Sequence, residues 1–222
     1  MPSHIFTRLG LWSDSIASNL ASAESGRLLV AKRHPGAASM DTLHALDYLE
    51  YAYLQIGDEA AARQILPEAA AANTFDDSNF AAGYALAAIP ARFALERHDW
   101  KAAAQLELPS ASLVWSNFPY VPAITYFARA SGASRVGELG RARSALSQIE
   151  TIHAGLQKSP IAGPYDWTNQ VASARMAAAA WLAYAEGHKD EAVKMARLAA
   201  DLEEKTGKHP VTPGPPLPAR EL

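Results

Sequence analysis

The sequence predicts an all-α protein built from repeated helical hairpins, and three observations support this. Hydrophobic residues recur with the helical period of about 3.6 along most of the 222 residues, whereas strand-like alternation is confined to short loops such as 112–115. A turn pattern of constant chemistry returns five times. Apolar positions are often alanine, as in 80–95 and 172–185, and alanine favours helix formation and close helix packing. We expect five hairpins with roughly ten helices.

The repeated turn has the form Gly-x-x-x-x-Ala. Complete copies begin at Gly57, Gly137 and Gly187, and degenerate copies begin at Gly10 and His98. Glycine can adopt the left-handed conformation that ends a helix, and an Asp or Glu after it favours the start of the next helix. The small residue at the end of the pattern is expected to let the two helices touch. We therefore predict hairpin turns near these five residues.

The spacing of the turns and their chemistry favour different repeat families. Successive copies lie 47, 41, 39 and 50 residues apart, which fits HEAT or armadillo repeats of about 40–47 residues better than tetratricopeptide repeats of about 34. The turn chemistry favours the tetratricopeptide repeat (TPR), because Gly-Asp-x-x-x-Ala is typical of its centre. The extra residues then fall in loops at 33–39, 109–122 and 159–164, which are rich in turn formers.

We therefore expect one TPR-like α-α superhelix, or solenoid, over residues 1–206. Five prolines follow between 207 and 222, which predicts an extended tail with few internal hydrogen bonds. Pro90 interrupts a helical pattern, so it is expected either to kink that helix or to bound it.

Four blocks of the chain also resemble a family of large, mostly uncharacterised bacterial TPR proteins. They are 1–12, 44–55, 88–96 and 209–215, and they start Met-Pro-Ser-His, His-Ala-Leu-Asp, Ala-Ile-Pro-Ala and His-Pro-Val-Thr. The resemblance implies the same helical-repeat fold and carries no established activity with it. It also implies that the chain corresponds to an internal or C-terminal segment of such proteins, because their repeats continue on both sides. Two uncapped solenoid ends lead us to expect a homodimer.

The composition excludes several classes of function. The sequence has no cysteine, which removes thiol catalysis, zinc fingers and iron-sulfur clusters. A net charge of -3, from 20 Lys and Arg against 23 Asp and Glu, gives no basic footprint for nucleic acid. No apolar run approaches the roughly 18 residues of a membrane span, and residues 1–11 do not read as a secretory signal. We expect a cytoplasmic protein.

Known catalytic patterns are also missing from the sequence. It contains no nucleophile elbow, phosphate-binding loop, dinucleotide fingerprint or Ser-x-x-Lys pattern. No catalytic residue, cofactor or resident metal is therefore predicted, although a triad defined by geometry alone stays open.

The groove of the predicted solenoid supplies the candidate binding site. The first helix of a TPR-like hairpin lines the concave surface, and His44, Asp47, Tyr51 and Gln55 share one face of such a helix. With the matching positions of the other hairpins, the predicted groove comprises His4, Arg8, His44, Asp47, Tyr51, Gln55, Arg92, Glu96, Arg135, Trp181 and Tyr184. This mixture of charged and aromatic residues favours a scaffold that binds a protein or peptide partner.

In this scaffold the arginines at 8, 92 and 135 are expected to bind carboxylates, and the aromatic residues at 51 and 181 are expected to provide apolar contacts. Simple packing inside the protein is the alternative for the aromatic residues, Trp100 included. A different alternative is an enzyme, or a metal or small-molecule sensor, with a pocket of His4, His44 and Asp47, because imidazole and carboxylate suit zinc or iron. No His-Glu-x-x-His pattern supports that pocket.

Overall fold

A computed structural model describes residues 2–77, 79–109 and 117–221, and it confirms the predicted all-α class. The described residues form ten α-helices: α1 (Ser3–Leu9), α2 (Trp12–Arg33), α3 (Met40–Gln55), α4 (Glu59–Ala71), α5 (Phe80–Glu96), α6 (Trp100–Gln105), α7 (Pro122–Arg135), α8 (Leu139–Lys158), α9 (Trp167–Ala185) and α10 (Lys189–Thr206). Within the same residues, β pairing is limited to an isolated bridge between Ala38 and Phe75. The loop 112–115 and half of the predicted loop 109–122 lie outside the described residues.

All five predicted turns occur where the pattern placed them. The turn residues Gly10, Gly57, Gly137 and Gly187 have φ between 71° and 93°, and His98 adopts the same left-handed conformation with φ 54°. The amide of the residue after each turn residue donates to the carbonyl five positions earlier, which closes the helix end in a Schellman motif. The degenerate copy at His98 therefore forms the same turn as the copies that begin with glycine.

The small residue at the end of each turn pattern is buried. Its relative exposure is 0% in the first four copies and 4% in the last, at Ser15, Ala62, Ala103, Ala142 and Ala192. Asp58 and Asp99 cap the following helices by accepting from the amides of Ala61 and Ala102 at 3.0 and 3.1 Å. The first turn of every second helix therefore carries a small, buried side chain.

The chain divides into two compact units, and the first consists of Met1–Phe93, Pro109–Phe118 and Lys208–Gly214. Its core is formed by leucines of α3 and by Ile89 of α5, which are at most 1% exposed. Helices α2 and α3 pack closely, since a Cβ atom at Gly26 would lie 2.5 Å from Thr42 Oγ1. Pro90 lies inside α5 and does not bound that helix.

The second unit consists of Ala94–Leu108, Pro119–Gly207 and Pro215–Leu222. Small residues dominate its core, where Ala104, Ala133 and Ala142 pack with Leu182. A Cβ atom at Gly132 of α7 would lie 2.5 Å from the Trp100 carbonyl of α6, so these helices meet at backbone distance. Alanine-rich helices are therefore positioned by backbone contact more than by large apolar side chains.

The proline-rich residues after α10 carry no α-helix among those described, and they are anchored in both units. In the first unit, Tyr84 Oη donates to the Gly214 carbonyl at 2.7 Å and Arg8 Nη2 donates to the His209 carbonyl at 3.2 Å. In the second unit, the Ala219 amide donates to Glu203 Oε1 at 3.0 Å beside a short 3-10 turn, Ala219–Glu221. None of the described helices is long and apolar enough to cross a bilayer.

Backbone geometry predicts opposite effects for substituting a glycine before α8 and a glycine inside it. Gly137→Ala should lower the free energy of unfolding by about 1 kcal/mol, because the new side chain occupies a left-handed position. Gly155→Ala, inside α8, should raise it by roughly 0.5–1 kcal/mol. A Cβ atom meets nothing within 4 Å at either position, so conformation alone separates them. Urea denaturation measures both changes, and a loss of stability in both variants would contradict this account.

Candidate functional site

The eleven predicted groove residues fall in both units. The first unit holds His4, Arg8, His44, Asp47, Tyr51, Gln55 and Arg92, and the second holds Glu96, Arg135, Trp181 and Tyr184. They belong to three clusters that differ in exposure, with a few members outside them. A continuous groove through the exposed members stays a prediction.

The first cluster is a buried ion network around Arg92. Its Nη1 donates to Asp47 Oδ1 at 2.8 Å and to Glu50 Oε2 at 2.6 Å, and all three side chains are at most 2% exposed. The Tyr51 ring lies 5.4 Å from the guanidinium carbon. Asp47 and Arg92 therefore do not line a groove, and this corrects the sequence-based expectation that Arg92 binds a ligand carboxylate.

The electrostatics of this network depend on burial. Loss of water raises the pKa of Asp47, and the charge of Arg92 only partly offsets that rise. Burial acts against the charged form of Arg92 as well, but the two carboxylates outweigh it and raise the pKa of the guanidinium. Nε and Nη2 of Arg92 have no hydrogen-bond partner among the described residues. The network joins α3 to α5 and is a structural feature.

Glu50 is the member of the network that sequence reasoning missed. It follows Asp47 by three residues on α3, which places both carboxylates on one helical face. The three-residue spacing was the sequence signal that could have identified Glu50. The spacing alone does not distinguish a solvated helical face from one buried against another helix.

The second cluster pairs two histidines. His4 Nε2 lies 3.0 Å from His44 Nε2, so one ring donates and the other accepts, and the accepting ring is neutral. The pKa of both rings is lowered to about 4, mainly by burial, and the charge of His44 contributes to the lowering at His4. The His4 ring also stacks on Tyr48 at a centroid distance of 4.7 Å.

Asp47 does not complete a metal site with this pair, because its Oδ1 accepts from Arg92. Across residues 2–77, 79–109 and 117–221, no group of three or more metal-ligating side chains converges. The proposed His4, His44 and Asp47 pocket is thus represented only by its two histidines.

The third cluster surrounds Arg135, and we call it the Arg135 site. The guanidinium carbon lies 4.4 Å from the Trp100 ring centroid and 4.0 Å from that of Trp181. Arg135 therefore makes a cation–π contact with each of the two indoles. Trp181 meets Tyr184 edge to face at 5.9 Å. Arg135 is exposed, and in the described part of the chain it forms no ion pair.

An open pocket of about 260 Å³ adjoins this guanidinium. Its lining consists of Arg135, Ala177, Ala180, Trp181, Tyr184, Ala192, Val193 and Ala196. Tyr184 and Val193 are both 49% exposed, so the apolar wall faces solvent. Lys189 Nζ lies 5.8 Å from the Tyr184 ring centroid and adds a second cation at the edge.

Sequence reasoning found three residues of the Arg135 site and missed Trp100, Lys189 and Val193. Trp100 and Lys189 both lie two positions after a turn residue, at the start of a second helix. Counting forward from the turns as well as backward would have selected both. Nothing in the sequence distinguished Val193 from other apolar residues of α10.

The remaining predicted residues are placed individually. Arg8 is exposed and bonded to the His209 carbonyl, and Tyr51 meets Trp12 edge to face at 5.7 Å. Gln55 is exposed, and Glu96 is half-buried at the end of α5. None of these four joins the Arg135 site.

The first unit contains a pocket of about 340 Å³ between α2, α3 and α4. Its cation, Arg27, is engaged by Glu68 at 2.7 and 2.8 Å and by Glu24 at 3.2 Å. Arg135 therefore differs from Arg27 and Arg92 in having no ion-pair partner among the described residues.

No protein-family model, curated protein or solved structure matches the chain.

The contrast between Arg92 and Arg27 gives a stability prediction. Each arginine pairs with two carboxylates, but the Arg92 side chain is 0% exposed and that of Arg27 is 42% exposed. Arg92→Met should lower the free energy of unfolding by about 3–5 kcal/mol, because it leaves two buried carboxylates uncompensated. Arg27→Met should cost less than about 1 kcal/mol.

Urea denaturation at pH 7 tests the pair. Adding Asp47→Asn and Glu50→Gln to Arg92→Met should recover part of the loss, because the uncompensated charges are removed. Equal losses for the two single variants would show that burial does not set the strength of the Arg92 network.

The histidine pair predicts acid sensitivity. The unfolded chain binds a proton at each histidine below about pH 6.5, whereas folded His44 resists protonation down to about pH 4. The free energy of unfolding should therefore fall as the pH drops from 6.5 to 4, with His44 contributing on the order of 2 kcal/mol. Asp47, whose pKa is raised, acts in the opposite sense.

Urea midpoints measured between pH 7.5 and 4 should show a shallower decline for His44→Gln than for the unchanged protein. Asp47 is present in both proteins, so its contribution to the pH dependence cancels in the comparison. His34→Gln, at an exposed position, serves as the control. Parallel curves for the unchanged protein and His44→Gln would refute a role of this pair.

Proposed function

We propose that this protein is a TPR-like scaffold that binds a segment of a partner protein at the Arg135 site. The observation that carries the proposal is an exposed guanidinium in contact with two indole rings, without an acidic partner in the described residues, beside an open apolar pocket. Arginine, tryptophan and tyrosine are the residues that most often dominate binding at protein interfaces. Stacking orients the guanidinium before a ligand arrives, which lowers the entropic cost of binding.

The chemistry of the lining favours binding over catalysis. The residues around the pocket are alanines, a valine, two aromatic residues and one arginine. The lining thus supplies no carboxylate, imidazole or thiol that could act as base or nucleophile near neutral pH. The Arg135 site can orient and hold a ligand.

The placement of the site supports the TPR-like part of the proposal. Arg135 ends α7, and Trp181 and Tyr184 lie in the last turns of α9. Both are first helices of hairpins, which in TPR-like folds line the concave surface. The five turns with one backbone geometry also favour a single repeating unit. The resemblance to large bacterial TPR proteins points in the same direction.

Selection from a random peptide library displayed on phage tests the proposed function. Peptides enriched on the unchanged protein should bind Tyr184→Ala at least tenfold more weakly, a loss of about 1.4 kcal/mol. Leu198→Ala is the matched control, because Leu198 is a 50% exposed apolar residue of α10 outside the pocket lining. Failure to enrich peptides, or equal binding to both variants, would contradict binding at this site.

A further inference from the structure

We infer that the Arg135 site takes a peptide segment that presents a carboxylate next to an aliphatic side chain. This inference rests on the proposed function and names the class of ligand. It follows from the free edge of the guanidinium, the charges around it and the size of the adjoining pocket.

The stacking leaves Arg135 with one way to bind. The guanidinium carbon lies over the Trp100 and Trp181 rings, and the N–H groups at the guanidinium edge are the donors offered to a ligand. A planar carboxylate accepts two parallel hydrogen bonds from such an edge, and this bidentate pairing is among the stronger ones in proteins.

Nearby carboxylates of the protein are engaged elsewhere. Glu138 accepts from Arg141 Nε at 2.8 Å, and Glu186 accepts from Arg143 Nη2 at 2.6 Å. These two acids flank the ends of α7 and α9, where Arg135 and Tyr184 lie. Because arginines of α8 hold both acids, the positive charges of Arg135 and Lys189 are left for an anionic ligand.

The pocket beside the guanidinium selects an aliphatic neighbour. Its alanine and valine wall offers methyl groups and no side-chain hydrogen-bond donor. At about 260 Å³ it lies below the roughly 300–1,000 Å³ of pockets that hold drug-sized molecules, so it suits a single side chain. Leucine or isoleucine would bury its apolar surface there while the carboxylate binds Arg135.

The same features disfavour a phosphate group. A phosphate carries about two charges and gains from several converging donors, whereas this site combines one guanidinium edge with an apolar wall, and its second cation, Lys189, lies beside the Tyr184 ring at the margin. The carboxylate has two sources, the free end of a protein chain or an Asp or Glu side chain within it. Both share the recognition chemistry, and small probes separate them.

The test titrates the protein with N-acetyl-leucine, N-acetyl-leucinamide and the peptide acetyl-Leu-Glu-amide, observed by NMR at the indole N–H groups of Trp100 and Trp181. At least one carboxylate probe should shift both signals saturably and bind at least tenfold more tightly than N-acetyl-leucinamide. Tighter binding of N-acetyl-leucine indicates a chain end, and tighter binding of acetyl-Leu-Glu-amide indicates an internal acidic residue.

Two variants keep this test independent of folding. Arg135→Gln, at an exposed position, should remove the preference for carboxylate probes. Arg63→Gln should retain it, because Arg63 is an exposed arginine of α4 that lies over the Phe93 ring and does not line the pocket. Val193→Gln should weaken the preference for N-acetyl-leucine over N-acetylalanine. The preference for N-acetyl-leucine over N-acetyl-leucinamide should remain in that variant.

Equal affinity for N-acetyl-leucine, acetyl-Leu-Glu-amide and N-acetyl-leucinamide would overturn the inference, and so would tighter binding of inorganic phosphate than of either carboxylate probe. Peptides selected on phage that still require Tyr184 would then leave the proposed function standing with a different ligand. If the probes showed no carboxylate preference and the selected peptides did not require Tyr184, both the inference and the proposed function would be contradicted.

Discussion

The left-handed residue at each hairpin turn is the constraint from which the rest of the structure follows. It reverses the chain within three residues and brings a small, buried side chain of the second helix against its neighbours. Close approach also recurs between successive hairpins, where Gly26 of α2 meets α3 and Gly132 of α7 meets α6 at distances that leave no room for a Cβ atom. Small residues therefore serve both the turns and the contacts between hairpins, and positions counted from each turn acquire equivalent roles.

Close packing also determines what happens to a charged residue on a first helix. Arg92 meets other helices and is enclosed with two carboxylates, whereas Arg135 lies at the end of α7 and stays in contact with water. The two arginines were indistinguishable as members of a predicted stripe. Burial makes the first a fixed link between α3 and α5, and exposure makes the second available to a ligand.

The histidine pair shows the same principle for a weaker base. His4 and His44 share a hydrogen bond that requires a neutral accepting ring, and burial favours that neutral state. A pattern of His4, His44 and Asp47 suggested a metal pocket, but Asp47 pairs with Arg92, whose charge compensates the buried carboxylate. The pairing of buried groups inside the first unit thus decides which of these side chains could bind a metal.

The sequence by itself determined the helical class, the five turns and their small buried residues, because those properties depend on contacts within about six residues of chain. Three of the residues around the pocket were also predictable, since Arg135, Trp181 and Tyr184 follow from counting back from a turn. Only the tertiary structure decided which arginine is free, which histidines meet and which indole covers Arg135. Those outcomes depend on residues distant in sequence, such as Trp100 and Glu50, whose positions relative to a neighbouring helix are set by packing.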